Sequence, residues 1–441
     1  MTPRWLLVVT LLAVLIAACG GGGAATTTTT TTTPEPTAAT SAPTDTTAPA
    51  AAVPDNPDNG VTAETIKVGW MGDATGPTAS AQSFNLRGLE AFVAYQNEQG
   101  GVLGRRLELI AKDDQFSAET AATNFTSLVQ DDKVLAIIQM GGSHISSALM
   151  PEVEQVGIPV IGPPQTIDVQ LENPWVFNNI AHYGDQADAA VLRIADRLGS
   201  LDEAKVVVIQ LELPSGDEWN AYIKDTLAKQ GGTYVDRILI NPGSPDFPGA
   251  VTRLKELVDS QGVNFVAFHG APAHGLGVVT EMKTQGLRVP IIGIHGIAGL
   301  QIYLEGPADM LDLVEGIHSF LPGNVSSPGT DLIREFVAGT EWEEGAKQIN
   351  FSHGWLDGMI LVQAIERAAE SGELSRASLQ AALQGPFETM GISCPIDWSD
   401  SNHSPCAAPF AWNPDEQGLE PVKPFEEWAS AIDGEYGLFE G

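Results

Sequence analysis

The chain has 441 residues, enough for two or three domains with sizeable cores. Its 22 basic and 56 acidic residues leave a net charge of −34. Such a charge disfavours nucleic acid and anionic lipid surfaces as partners and suits a soluble protein outside the cell.

Residues 1–18 carry Arg4, an apolar run over 5–16, and then Ala17-Ala18 before Cys19. The run is short for a spanning helix and reads as a signal peptide with small residues at the cut. Residues 19–60 are low-complexity, with a glycine run, eight threonines over 26–33, and then Pro, Ala, Thr and Ser. A segment so poor in large apolar side chains cannot offset chain entropy and is expected to be a disordered tether. About 40 flexible residues reach roughly 35 Å.

From residue 61 strand-like and helix-like segments alternate. A strand over 66–71 is followed by a Gly/Thr/Ser loop and a helix over 84–95. A strand over 107–111 and a helix over 118–129 come next. Residues 134–166 then hold two short apolar runs, 134–140 and 157–161, joined by a helical stripe. The first run opens into Gly141-Gly142-Ser143-His144 and the second into Gly162-Pro163-Pro164-Gln165-Thr166. This is the pattern of a βαβ unit, whose ligands bind beyond the carboxyl ends of the strands. The two loops are therefore expected to form one wall of a small-molecule cleft.

A second alternating set begins near Tyr183, with helices over 187–198, 218–230, 248–260 and 276–284. Strands are expected over 205–210, 234–240, 263–268, 289–293 and 316–320. Three further helices follow, over 331–338, 354–369 and 376–383. In the middle one Leu356, Met359, Val362 and Ile365 make a slowly drifting apolar stripe, which reads as a core helix without a functional role. Irregular strands and a closing hairpin are expected over 390–412. There Cys394 and Cys406, twelve apart in an exported chain, read as a disulfide worth about 3 kcal/mol.

No strong catalytic signature is present. Gly141-Gly142-Ser143-His144-Ile145 lacks the last glycine of a nucleophile elbow, and His-Glu-x-x-His, P-loop and dinucleotide motifs are missing. A serine hydrolase using Ser143 is kept only as a minor alternative. His269 and His295 both follow predicted strands and could face one cleft. Spacing shows no set of three or four converging ligands, so neither metal nor cofactor is expected. Ser143, Thr166 and Ser215 each precede a predicted helix, where they could cap it or bond an anionic ligand.

Ile16-Ala17-Ala18-Cys19 resembles the bacterial lipoprotein signal, which implies lipidation at Cys19. From about residue 64 onward the chain resembles periplasmic solute-binding proteins of the branched-chain amino acid (leucine/isoleucine/valine-binding) type. The likeness rests on Ile66-Lys-Val-Gly69 with Thr75-Gly-Pro77, and on Gly100-Gly-Val-Leu-Gly-Arg-Arg106 with Asp113-Asp114. Gly157-Ile-Pro-Val-Ile-Gly-Pro163 and Ala364-Ile-Glu-Arg-Ala368 extend it.

The resemblance implies an α/β, type I periplasmic binding protein fold, with two doubly wound lobes joined by a three-strand hinge. Residues 61–181 with about 321–400 would form the first lobe, and 182–320 with about 401–441 the second. Ser143 and Thr166 match the family's carboxylate-binding positions, with Gly142, Pro164 and Gln165 beside them. In the second lobe Ser215-Gly216 stands where the leucine-type binders have a tyrosine before a glycine, and Ala271 stands in a loop lacking an aromatic. His295 stands in the place of an acid that pairs with the ligand's ammonium. The expected ligand therefore carries a carboxylate or similar acceptor and is not bound to be a standard α-amino acid.

The resulting expectation is a lipid-anchored, extracytoplasmic monomer that binds a small ligand and delivers it to an ABC permease. A ligand-sensing surface lipoprotein of the same fold is the alternative.

Overall fold

A computed structural model describes residues 53–425, so the expected signal peptide, Cys19 and most of the expected tether lie outside the described residues. Residues 53–60, expected within the tether, are instead packed. Arg105 donates from Nη2 to the Val53 carbonyl at 2.6 Å, and Asn56 donates from Nδ2 to that of Leu374 at 3.2 Å. Val53 and Val61 are buried, so the folded part starts before the composition changes. No helix among the described residues is long and apolar enough to cross a membrane.

The first half runs β1 (Thr65–Gly72), α1 (Ala79–Glu98), β2 (Arg106–Asp113), α2 (Ala118–Thr126), β3 (Ile137–Ile138), α3 (Ser143–Val156), β4 (Val160–Ile161), α4 (Asp168–Leu171) and β5 (Val176–Phe177). Its strands form an all-parallel sheet in the order β2-β1-β3-β4-β5. The apolar runs at 134–140 and 157–161 shorten to two-residue strands, the first because Gln139 turns to a φ of +62°.

The second half runs α5 (Tyr183–Leu198), β6 (Lys205–Leu211), α6 (Pro214–Gln230), β7 (Thr233–Ile240), α7 (Phe247–Gln261), β8 (Phe265–His269), α8 (Pro272–Thr284), β9 (Ile291–Gly293), α9 (Leu300–Glu305) and β10 (Val314–His318). After α10 (Pro328–Val337), α11 (Ile349–Ala369), α12 (Arg376–Leu383), β11 (Pro386–Phe387) and β12 (Ile396–Asp397), the hairpin β13 (Ala408–Asn413) and β14 (Gly418–Pro421) closes the described chain. The second sheet has the order β14-β13-β10-β9-β8-β6-β7 and is parallel except for that hairpin. In β6, Val207 and Ile209 enter one core layer while Val206 and Val208 enter the opposite one. Burial on both faces explains why this strand reads as an unbroken apolar run.

The chain passes between the sheets at residues 178–182, 319–327 and 398–407. These crossovers hold one another. Asn178 pairs with His403, Phe320 pairs with Ser393, and the Cys394–Cys406 disulfide spans a Cα–Cα distance of 5.9 Å. The expected doubly wound layers, three-segment hinge and disulfide are therefore present.

α11 is less one-sided than its stripe implied, because it is buried almost all round, with α1 and α12 packed against it. α1 and α11 cross at backbone contact. A Cβ on Gly354 would stand 1.9 Å from the Asn85 carbonyl oxygen, and one on Gly88 would stand 2.0 Å from that of Phe351. Sealed under this crossing, Asp357 accepts from Asn85 at 2.9 Å and from Asn179 at 2.7 Å.

Candidate functional site

In a doubly wound sheet the loops on either side of the strand-order reversal diverge and leave a crevice. The first sheet reverses between β1 and β3, and the second between β6 and β8. One cavity lies where these two crevices face each other. The first sheet contributes Thr78, Gln82, Phe116, Gln139, Gly142, Ser143, Pro164 and Gln165. The second contributes Leu211, Leu213, Ser215, His269, Ala271, Ile294 and His295, joined by Tyr183 from α5 and Asn350 from α11. The space leaves about 90 Å³ for the centres of water-sized groups. At about 10–15 Å³ for one water, it takes roughly six to nine such groups, the scale of a small organic acid.

Seven of the eight residues expected to bind ligand line this cavity: Gly142, Ser143, Pro164, Gln165, Ser215, Ala271 and His295. Thr166 does not. It is fully buried and donates its hydroxyl to the Ile180 carbonyl at 2.6 Å, tying its loop to the hinge. The expected capping roles also change. Gly142, at φ +102°, is the N-cap of α3, Leu213 that of α6 and Ile167 that of α4. Ser143 and Ser215 sit one or two places inside their helices and turn their hydroxyls to the cleft.

There the hydroxyls meet. Ser143 Oγ lies 2.9 Å from Ser215 Oγ, and the Ser215 N–H donates to Ser143 Oγ at 3.3 Å. Ser215 Oγ also lies 3.0 Å from His269 Nε2. A chain of polar contacts thus spans the cleft from α3 to β8. Burial pushes the His269 imidazole down to about 3, with His295 nearby adding to the effect. So weak a base cannot activate Ser215, and the partner of Ser143 is a serine, so the hydrolase alternative lacks its general base.

His295 is anchored to α5: its backbone N–H donates to Gln186 Oε1 at 3.0 Å and its Nδ1 lies 3.3 Å from the same oxygen. Burial lowers it to about 3, so it stays neutral. Gln165 is fully engaged too, accepting from the Gly142 N–H and donating to Met140 O and Ser146 Oγ. Among the described residues, no Asp, Glu, Lys or Arg lines the cavity. The first turns of α3, α6 and α8 open on it and supply the positive ends of three helix dipoles.

A second cluster lies near the hinge, where Asp168, His182 and Glu218 bring one ligand atom each within 4.8 Å of the others. His182 Nδ1 accepts the Gly184 N–H at 3.1 Å, so the ring proton sits on Nε2, 2.9 Å from Asp168. A metal-bound imidazole needs the reverse arrangement, with its second nitrogen donating. The residues fit a hydrogen-bonded cluster better than a metal site.

Sequence reading missed Gln139, Tyr183, Asn350, Phe116 and the pair Thr78 and Gln82. For Tyr183 the available signal was its place at the start of a helix after a hinge crossing. Asn350 carried none, since only the fold brings α11 to the cleft.

The model of the family described as "Periplasmic binding protein" matches residues 65–411. "Leu/Ile/Val-binding protein homolog 2" of Brucella abortus (strain 2308) is 25% identical over 382 residues, covering 85% of this chain and 93% of its own length. Among solved structures, a fatty acid ABC transporter substrate-binding protein from Thermomonospora curvata superposes with a TM-score of 0.76. It is 20% identical and covers 86% of this chain and 96% of its own. A branched chain amino acid ABC transporter from Thermus thermophilus with bound valine gives 0.72 at 20% identity, covering 82% and 96%. Both share the fold.

Proposed function

The chain belongs to the periplasmic binding protein family, and on that premise we propose that it is a lipid-anchored extracytoplasmic receptor delivering a small polar or carboxylate-bearing solute to an ABC permease. It is a binding protein of the branched-chain amino acid transporter type, not an enzyme.

The observation that carries the reading is the cavity at the facing reversal points of both sheets, walled by seven of the eight residues expected there. Three helix N-termini and the Ser143 and Ser215 hydroxyls favour a carboxylate or amide acceptor. The neutral remaining wall favours an apolar or uncharged polar remainder. The relatives named above are a Leu/Ile/Val-binding homologue, a valine-bound protein and a fatty-acid binder. An acid or amide of amino-acid size fits the space and polarity of this cavity. Cys19, directly after an apolar run, supports the anchor.

A thermal-shift screen over amino acids, keto acids, aromatic acids and amides tests the solute. A ligand at about 100 times its dissociation constant adds about 2.7 kcal/mol of stability. A panel that leaves the melting temperature unmoved rejects the receptor reading. Replacing Cys19 by Ala should move the protein from the membrane fraction to the soluble fraction, and retention at the membrane rejects the anchor.

A further inference from the structure

We propose that Gln139 determines specificity, its carboxamide oxygen accepting a hydrogen bond from a neutral donor on the ligand, a hydroxyl or amide N–H. This rests on the solute-receptor reading above and names the class of solute, small acids or amides that carry such a donor in place of an ammonium.

Gln139 directly follows β3, at the reversal point of the first sheet, and lines the cavity. It is 1% exposed, and its Oε1 has no hydrogen-bond partner among the described residues. Two other glutamines in the same wall are satisfied. Gln82 accepts the Asp73 N–H at 3.0 Å and donates to Thr78 at 2.7 Å, and Gln165 bonds Gly142, Met140 and Ser146. A buried acceptor without a donor is costly, and a ligand that supplies the donor recovers that cost on binding.

The backbone adds an independent sign. Gln139 holds a left-handed φ of +62°, which a side chain with a Cβ adopts at a cost, although Gly141 and Gly142 stand only two and three residues further on. Its N–H is fixed to the Ile161 carbonyl at 2.9 Å. Strain kept at a cavity wall marks a functional position. Charge then selects the donor. Among the described residues no carboxylate lines the cavity and both lining histidines are neutral, so an ammonium would lie buried without a counter-charge. A hydroxyl or amide N–H satisfies Oε1 with no charge to desolvate.

The test uses three probes with one side chain: 2-hydroxy-4-methylpentanoate, 2-oxo-4-methylpentanoate and leucine. Each is titrated calorimetrically into the parent, Gln139→Met and Gln139→Glu. The parent is expected to bind the hydroxy acid about tenfold or more tightly than the oxo acid or leucine. Gln139→Met, similar in length and without the carbonyl, should bring hydroxy and oxo acids within about twofold. Gln139→Glu should shift the preference toward leucine by about tenfold, because a carboxylate now faces the ammonium. Melting curves confirm that the variants fold. Binding by the parent with preferences that neither variant changes overturns the role of Gln139 and leaves the receptor reading intact. No binding of these probes overturns the proposed solute class, and only silence across the wider panel removes the receptor reading too.

Discussion

Ser215→Ala should weaken ligand binding far more than it weakens the fold. Ser215 Oγ touches Ser143 Oγ at 2.9 Å across the cleft and His269 Nε2 at 3.0 Å on its own side. Removing it strips a buried imidazole nitrogen of its partner, since His269 is only 3% exposed. Such an orphan costs about 1–3 kcal/mol. When the lobes part, water reaches the same atoms and the cost disappears, so it falls on closure. A ligand held between the lobes then loses affinity by about 5- to 150-fold, since 1.4 kcal/mol is a factor of ten. Ser143→Ala leaves the Ser215 to His269 contact in place and should cost only about fivefold. Calorimetry with the best ligand from the thermal-shift panel measures both. If Ser215→Ala binds within about twofold of the parent while the protein remains folded, the cross-cleft contact does not hold the closed form.

Replacing both Cys394 and Cys406 by Ser should lower unfolding free energy by about 3 kcal/mol, because the bridge spans 12 residues. Denaturation in urea that gives less than about 1 kcal/mol would show that the crossover pairing alone holds this segment. Asp357→Leu leaves the buried Asn85 and Asn179 amides without their acceptor and should cost about 2–6 kcal/mol by the same method. A near-neutral result would mean that both amides find other partners. Burial, with Asp73 and Asp113 nearby, pushes the Asp114 carboxyl up to about 7. Between its usual range and 7 the native state holds a proton that the unfolded chain has lost, so stability falls as pH rises and the penalty is complete above 7. Asp114→Asn should therefore melt higher than the parent at pH 8, with the gap closing toward pH 4. A gap independent of pH would refute this assignment. Glu218, also raised to about 7 by burial and the neighbouring Asp168, leaves some slope in the variant.

The α/β alternation was legible because strands buried on both faces and helices with one apolar stripe have distinct periods. Residues 205–210 read as a strand and occupy β6, and residues 376–383 coincide with α12. Ser143, Pro164 and Gln165 were legible because loops after parallel strands must reach the cleft. The stripe on α11 marked a core helix and understated how much of it is buried. A helix packed against both α1 and α12 is buried nearly all round, so three-residue recurrence describes only part of its buried surface. Thr166 misled because its position in the loop was right and its direction could not be read. A single backbone turn sends its hydroxyl to the Ile180 carbonyl.

Composition and local pattern thus determined by themselves the net negative charge, the order of strands and helices, and which loops end at a cleft. These follow from neighbours within a few residues. The tertiary structure decided what those loops face. Ser143 meets Ser215 across 72 residues of sequence, and His295 reaches Gln186 across 109. Asn350 enters the cavity from a helix more than 50 residues beyond any other lining residue in the sequence. Whether a polar atom is satisfied, as in Gln165, or left open, as in Gln139, depends on such distant partners, and no local pattern carries them.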